Sequence, residues 1–357
     1  MSTLALRTAA CEALGARYPI VQTAMGYVAT PELVAASCNA GAFGILACAT
    51  LAAPEVAPAI DRVRALTDRP FGVNFHMFQP GAAQIVDTIL EKRVRVVSFG
   101  RGPDAAMIAR FRAAGLICIA SVGALRHAQK SADLGADMLI VQGGEGGGHT
   151  GSVATTVLLP QVLDAVKIPV FAAGGFADGR GLAAALACGA AGVAMGTRFL
   201  MTRESPVPDA TKARYVKAGL DDVFVTTRLD GIPHRMLRNE LAARIERSSG
   251  AGVLVTALRN AFELKRLTGA SLSEMLRSAR AMARSGEMSL GQALLAANSP
   301  VLLQRAVVQG HPAEGIMASG QVAGRLGDLP SCAELIERIV REAEARLETA
   351  CALLPRE

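Results

Sequence analysis

The sequence predicts an α/β protein, a (β/α)8 (TIM) barrel with a smaller all-helical insertion subdomain near the C-terminus. Three observations carry this. From Pro19 to Thr197, short apolar runs alternate with Ala-rich amphipathic stretches. The runs number eight, the closure number of a β/α barrel. After about Ser205 the apolar runs stop and only helical patterning continues.

The runs are 19–24 (PIVQTA), 42–47 (AFGILA), 71–75 (FGVNF), 94–98 (VRVVS), 116–121 (LICIAS), 137–142 (DMLIVQ), 169–174 (PVFAAG) and 191–196 (AGVAMG). Apolar runs without alternation fit strands buried on both faces. Strand–helix alternation implies parallel strands joined by right-handed crossovers. The helices between them are expected over 31–40, 54–66, 81–92, 103–114, 123–134, 157–166 and 179–188. Gly115, Gly135 and Gly189 stand where helices stop, and Pro31 and Pro54 suit first helical turns. The alternative architecture is an open doubly wound sheet.

Beyond Ser205, helices are expected over 208–218, 236–248, 254–267, 272–285 and 289–308, with Leu272, Met275, Leu276 and Met282 along one face. The tail 331–354 reads as one amphipathic helix with the stripe Leu335, Ile336, Ile339, Val340 and Ala343, packing on the barrel exterior. The expected division is therefore residues 1–204 and 311–357 for the barrel with its C-terminal helix, and 205–310 for a helical subdomain over the active-site face.

Composition narrows the function. In 357 residues, 51% are hydrophobic and 19% charged, which excludes a largely disordered chain. Aromatic residues are 4% with no Trp, a poor basis for stacking nucleic-acid bases. The net charge of +6 is modest; it argues against a dedicated nucleic-acid binder and allows an anionic small ligand. The whole excess lies within 205–310, where 15 basic residues meet 9 acidic ones. A solvated helical surface would explain this. So would a basic rim for the phosphates of CoA or NAD(P)H, with Arg228, Arg235 and Arg238 as first candidates. The seven cysteines are odd in number and lack C-x-x-C spacing, which argues against a disulfide or zinc framework and for a reduced, cytoplasmic setting. No signal peptide or membrane span is read in the sequence, and a homo-oligomer is compatible with it.

In a β/α barrel the chemistry sits at the C-terminal ends of the strands. Those ends are 22–26 (QTAMG), 74–76 (NFH), Ser98, Ser121, 142–151 (QGGEGGGHTG), Gly174–Gly175 and Gly196–Thr197. Ordering a glycine costs ~0.5–1 kcal/mol, returned as left-handed geometry or as close approach of backbone to a ligand. The match to G-x-G-x-x-G at Gly146, Gly148 and Gly151 is discounted, because no helix opens directly behind it. Gly174, Gly175, Gly196 and Thr197 follow the seventh and eighth strands, where many barrels bind phosphate. His149, on the glycine loop, is the candidate for proton transfer. His76 is a weaker candidate at a strand end, and His234 reads as a loop residue of the helical subdomain.

The stretches QGGEGGGHTG and AAGGFADGRGLAAALACGAAGVAMGTRF resemble the nitronate monooxygenase (2-nitropropane dioxygenase-like) family of flavin barrels. The likeness continues in PIVQTAMGYVATPELVAASCNAGAFGIL, FGVNF, TTRLDGIPHRMLRN and SGQVAGRLGDLPSCAELIERIV, and so covers nearly the whole chain. The resemblance implies FMN at the C-terminal face of the barrel. Ala24, Met25 and Gly26 would lie beside the isoalloxazine, Asn74 and Gln142 would hydrogen-bond the flavin or its ribityl chain, and Ser121 would join them at its strand end. Gly147 and Gly148 would lie against the cofactor, and Gly174, Gly175, Gly196 and Thr197 would bind its phosphate. Ser319, Gly320 and Gln321 would return near it. His149 matches the family's active-site histidine. Glu145 would orient His149, contact a ribityl hydroxyl or cap a turn.

The family's common loop reads E-A-G-G-H, whereas here it is Glu145-Gly146-Gly147-Gly148-His149. With VATTVLLP after it and VTTRLDGIPHRMLRN later, this form resembles the flavin oxidoreductases of bacterial steroid degradation, which act on bicyclic indane-type CoA thioesters. The implied activity is hydride exchange with a C=C/C–C bond conjugated to a carbonyl or CoA thioester. NAD(P)H would be the donor or NAD(P)+ the acceptor, and an acyl-CoA the small-molecule partner. Rival readings are nitronate oxidation with O2, enoyl-thioester reduction, and a flavin-free barrel holding a phosphorylated metabolite.

Overall fold

The computed structural model describes residues 6–76, 79–100, 105–229, 231–247 and 290–354. Parallel strands β1 (Ile20–Gln22), β2 (Phe43–Ala47), β3 (Gly72–Phe75), β4 (Val96–Gly100), β5 (Ile117–Val122), β6 (Met138–Gln142), β8 (Val170–Ala173) and β9 (Gly192–Met195) form a closed barrel. Each overlaps one of the apolar runs. β1 pairs with both β2 and β9, so the sheet has no edge and the doubly wound alternative is excluded. The remaining strand of this stretch, β7 (Gly148–His149), pairs elsewhere.

Residues on a strand alternate between faces, and partners in register share a face. Val21, Phe43, Ile45, Val96, Ile119, Met138, Ile140, Phe171, Ala173 and Ala194 form one buried cluster inside the barrel. Ala10 and Leu14 of the helix Ala9–Leu14 join it. That helix lies at the N-terminal ends of the strands: Arg95 Nη2 donates to Ala13 O at 2.7 Å just before β4, and Thr8 Oγ1 donates to Ala191 O at 2.7 Å just before β9. It closes the barrel floor and leaves the C-terminal ends for chemistry.

The amphipathic tail forms the helix Cys332–Cys351, capped by Ser331 Oγ, which accepts from Glu334 N at 3.2 Å. All five residues of its predicted stripe are buried. It packs against the helix Gly179–Ala187 so closely that a Cβ at Gly179 would meet Ile339 O at 2.4 Å. Glu342 Oε2 accepts from Gly179 N at 2.8 Å. Before this helix, Arg198 is buried with its Nη1 2.8 Å from Asp328 Oδ1, and Arg338 Nη1 reaches the other oxygen at 2.6 Å.

The chain divides into two compact units. One is the barrel with the C-terminal helix: residues 1–146, 150–206 and 326–357. The other comprises Gly147–His149 and Val207–Arg325. The second unit carries strands as well as helices. β10 (Val223–Thr226) and β11 (His234–Leu237) pair antiparallel, and β7 adds to β11 as a third strand. Strand therefore replaces the first residues of the helix expected over 236–248, which starts at Glu240 and runs to Arg247. Leu229, Met236, Leu241, Ala242, Ile245, Leu302 and Ile316 form a small core of its own. The helix Leu290–Val307 follows the expectation over 289–308. The helices expected over 254–267 and 272–285, including Leu272, Met275, Leu276 and Met282, lie outside the described residues. No helix among the described residues is long and apolar enough to cross a membrane.

Candidate active site

Carrying the barrel's alternation one step past its apolar interior identifies the residues that share the inward face at the C-terminal rim. They are Thr23 after β1, Asn74, Ser98, Ser121, Gln142, Gly175 after β8 and Gly196 after β9. Asn74 is paired in register with Ala47 and with Ser98, and its Nδ2 donates to Ser98 O at 3.2 Å. Ala24 packs against the interior cluster. A Cβ at Gly196 would stand 3.2 Å from Thr23 Oγ1 and 3.4 Å from Met25 Sδ. An apolar interior is thus topped by amides, hydroxyls and small residues. No group of acids, histidines and cysteines among the described residues could hold a metal ion.

This donor set fits a flavin. Two amides and three hydroxyls at strand ends match the alternating N and O edge of an isoalloxazine ring. Ala24, Met25 and Gly196 are the small and apolar residues beside them. Gly174 and Gly175 have φ of 90° and 83°, a backbone that side chains rarely adopt. Thr197 is buried at the start of the short helix Thr197–Leu200.

The glycine loop has a brace at its centre. Glu145 Oε2 accepts from Thr155 N at 3.0 Å and from Thr155 Oγ1 at 2.7 Å, and Oε1 accepts from Thr155 N at 3.2 Å. It thereby caps the helix Thr155–Ala165, whose N-cap, Ala154, has no side-chain acceptor. Of its three possible roles, capping is the one the geometry supplies. At Gly146, where the resembled loop has alanine, a Cβ would stand 2.4 Å from the Gln142 amide. Glycine lets that amide lie across the loop.

The next residues belong to the second unit. A Cβ at Gly147 would meet the backbone at Gly320 N (2.5 Å) and Ser319 C (2.6 Å), so the loop and the Ser319–Gly320 backbone are in direct contact. β7 then sets Gly148 opposite Arg235 and His149 opposite His234. The His149 and His234 rings meet edge to face, with centroids 5.1 Å apart and planes at 72°. His149 is exposed and His234 buried. Gln321 begins the 3-10 turn Gln321–Arg325 and is exposed.

The remaining candidates are divided between the two units. His76 is exposed after β3, its N–H donating to Gln79 Oε1 at 2.9 Å. Arg228 and Arg238 are exposed and Arg235 half-buried in the second unit, with the Arg238 guanidinium 4.5 Å above the Phe224 ring. Tyr27 carries no expectation from the sequence, and His234, expected in a loop, stands on β11. Tyr27, directly after Gly26, holds a left-handed φ of 63° at a half-buried position, a strained backbone of the kind that collects at functional sites. No local sequence signal marks it. His234 had one, since HRML continues a strand pattern opposite VFVT, but both segments are too short to show a period.

A profile of the nitronate monooxygenase family matches residues 7–87 and 81–342. The chain is 54% identical over 352 residues to the (3aS,4S,5R,7aS)-5-hydroxy-7a-methyl-1-oxo-octahydro-1H-indene-4-carboxyl-CoA dehydrogenase of Mycobacterium tuberculosis, covering 98% of this chain and 99% of that one. It is 52% identical over 353 residues to the protein of the same description from Rhodococcus jostii, covering 99% of each. FabK from Thermotoga maritima superposes with a TM-score of 0.78 at 34% identity, covering 98% of this chain and 99% of that one.

Proposed function

Since the chain belongs to the nitronate monooxygenase family, we propose that it is an FMN-dependent oxidoreductase acting on a bicyclic, indane-type CoA thioester. The observation that carries this reading is near-full-length identity of 54% to a dehydrogenase of such a thioester. The strand-end donor set and the glycine loop support it. When bound, the flavin supplies hydride exchange with the carbon β to the thioester carbonyl.

The protein's own groups supply binding, orientation and proton transfer. Asn74, Gln142 and Ser121 hold the polar edge of the ring, and Ala24 and Met25 its face. Gly174, Gly175, Gly196 and Thr197 hold the phosphate through backbone N–H groups and a hydroxyl. His149 takes or returns the proton at the α-carbon or at a neighbouring oxygen, so that hydride and proton together make up the two hydrogens exchanged. Glu145 is left to its capping role. Arg228, Arg235 and Arg238 contribute positive charge for the phosphates of CoA, and a nicotinamide nucleotide is the second redox partner.

Anaerobic titration of the purified protein, followed by flavin absorbance near ~450 nm, tests this. The indane CoA thioester, NADH, NADPH and propionate 3-nitronate are added in turn. Bleaching by the thioester, or reoxidation by its dehydrogenated form after NAD(P)H reduction, is expected. His149→Ala is expected to keep the flavin and lose turnover. Bleaching by the nitronate with reoxidation when O2 is admitted, and no response to either form of the thioester, would establish the family's nitronate chemistry instead.

A further inference from the structure

His149 sits on a strand of two residues, with glycines on its N-terminal side. So short a strand cannot fix a side chain's orientation by itself, and the His149 ring is exposed. Its neighbour is fixed. His234 is 6% exposed on β11, the central strand of the three. Thr226 opposes it on the other side, so Thr226, His234 and His149 form one row across one face of the sheet.

Thr226 is immobilised in turn. Its Oγ1 donates to Glu246 Oε1 at 2.6 Å and accepts from Arg228 N at 3.1 Å. The β11 backbone is anchored from both ends of the strand. Met236 lies fully buried in the second unit's core, Leu237 N donates to Met317 O at 2.9 Å, and Ser319 N donates to Arg235 O at 3.3 Å. The edge-to-face contact at 5.1 Å is therefore between a buried ring on a braced strand and an exposed one.

We propose that His234 is a positioning residue for His149: its buried ring sets the orientation of the exposed imidazole that moves the proton. This rests on the proton-transfer role given to His149 above. The contact is an aromatic one, so it asks for a ring at 234 and not for a second titrating group. An edge-to-face pair favours the aligned arrangement by a factor of roughly three to ten, and proton transfer falls off steeply when the ring leaves it.

The test uses the flavin-loaded protein with His234→Ala and His234→Phe, read in two ways. The first is the histidine ring resonances of His149, assigned by loss of signal in His149→Ala. The second is kcat and KM with the CoA thioester. In His234→Ala the His149 resonances lose the ring-current shift from 234, and kcat falls about tenfold with KM within about twofold. His234→Phe restores most of kcat, which a loss of folding alone would not allow. Unchanged His149 resonances in His234→Ala, or a phenylalanine variant no better than the alanine one, would overturn the proposal. Full turnover in His149→Ala would instead remove the role of His149, while the resonances still report whether 234 orients it.

Discussion

Replacing Glu145 by alanine removes the brace of the glycine loop, and the size of the effect follows from its three contacts. Thr155 N and Oγ1 lose a charged acceptor at 2.7–3.2 Å, and no side chain at Ala154 replaces it. Loss of an N-terminal cap costs about 1 kcal/mol, and a hydrogen bond to a charged acceptor contributes roughly 1.5–3 kcal/mol. The two overlap here, giving roughly 2–3 kcal/mol for a half-buried carboxylate. With an unfolding entropy of ~2.1 cal/mol/K per residue, a chain of this length gives up about 3–4 °C of melting temperature. Glu145→Gln keeps an acceptor and is expected to lose about half as much. Thermal melts of the flavin-loaded protein measure both. A melting temperature within about 1 °C of wild type for the alanine variant contradicts the capping account. So does a Glu145→Gln variant that melts normally but has lost turnover, for then the carboxylate acts on the substrate.

Asp328→Asn tests the buried arginine. Burial works against the Asp328 charge, yet the hydrogen bonds from Arg338 and Arg198 outweigh it and hold the carboxyl below its usual range. Stripping a buried cation of its partner costs ~3–5 kcal/mol, which partial exposure of Asp328 reduces to about 2. Because the folded carboxyl is depressed, its contribution is present above the unfolded value of ~3.9 and is lost as pH falls below that. The melting gap between wild type and Asp328→Asn should thus be open at pH 7 and close toward pH 3. A gap constant over that range removes the charge from the explanation. Thiol titration gives a third check. Cys188 and Cys351 are exposed, the other five cysteines are buried, and burial pushes the Cys38 thiol up to about 11 and those of Cys48, Cys118 and Cys332 to about 12. A thiol reagent at neutral pH is expected to modify two groups quickly and the rest only on unfolding.

The barrel was legible because strands buried on both faces announce themselves as unbroken apolar runs. All eight runs became strands, and the amphipathic tail buried the stripe its spacing predicted. The helix Ala9–Leu14 was not legible. It is six residues long, shows barely two turns of pattern, and has no side-chain cap. The second unit was read as wholly helical because its strands are four, four and two residues long, below the length at which alternation separates from a helical period. The rim residues could be named in advance, since a polar residue ending an apolar strand is visible in one dimension. The pairing of His149 with His234 could not, since it depends on a register between segments 85 positions apart. Gly146 shows the converse: the Gln142 amide lies where a methyl group at 146 would go, a contact that no sequence pattern announces.

The three residues Gly147–His149 have a consequence for how this protein can be taken apart or assembled. The chain passes between its two units four times, at 146/147, 149/150, 206/207 and 325/326. Deleting 207–325 would leave β7 without its partner strand, and the excised segment would lack the strand that pairs with His234 and Arg235 of β11. The insertion is therefore not a portable module. Transplanting it onto another barrel requires the loop after the sixth barrel strand to travel with it. His149 lies in sequence between two segments of the barrel and is built into the sheet of the second unit.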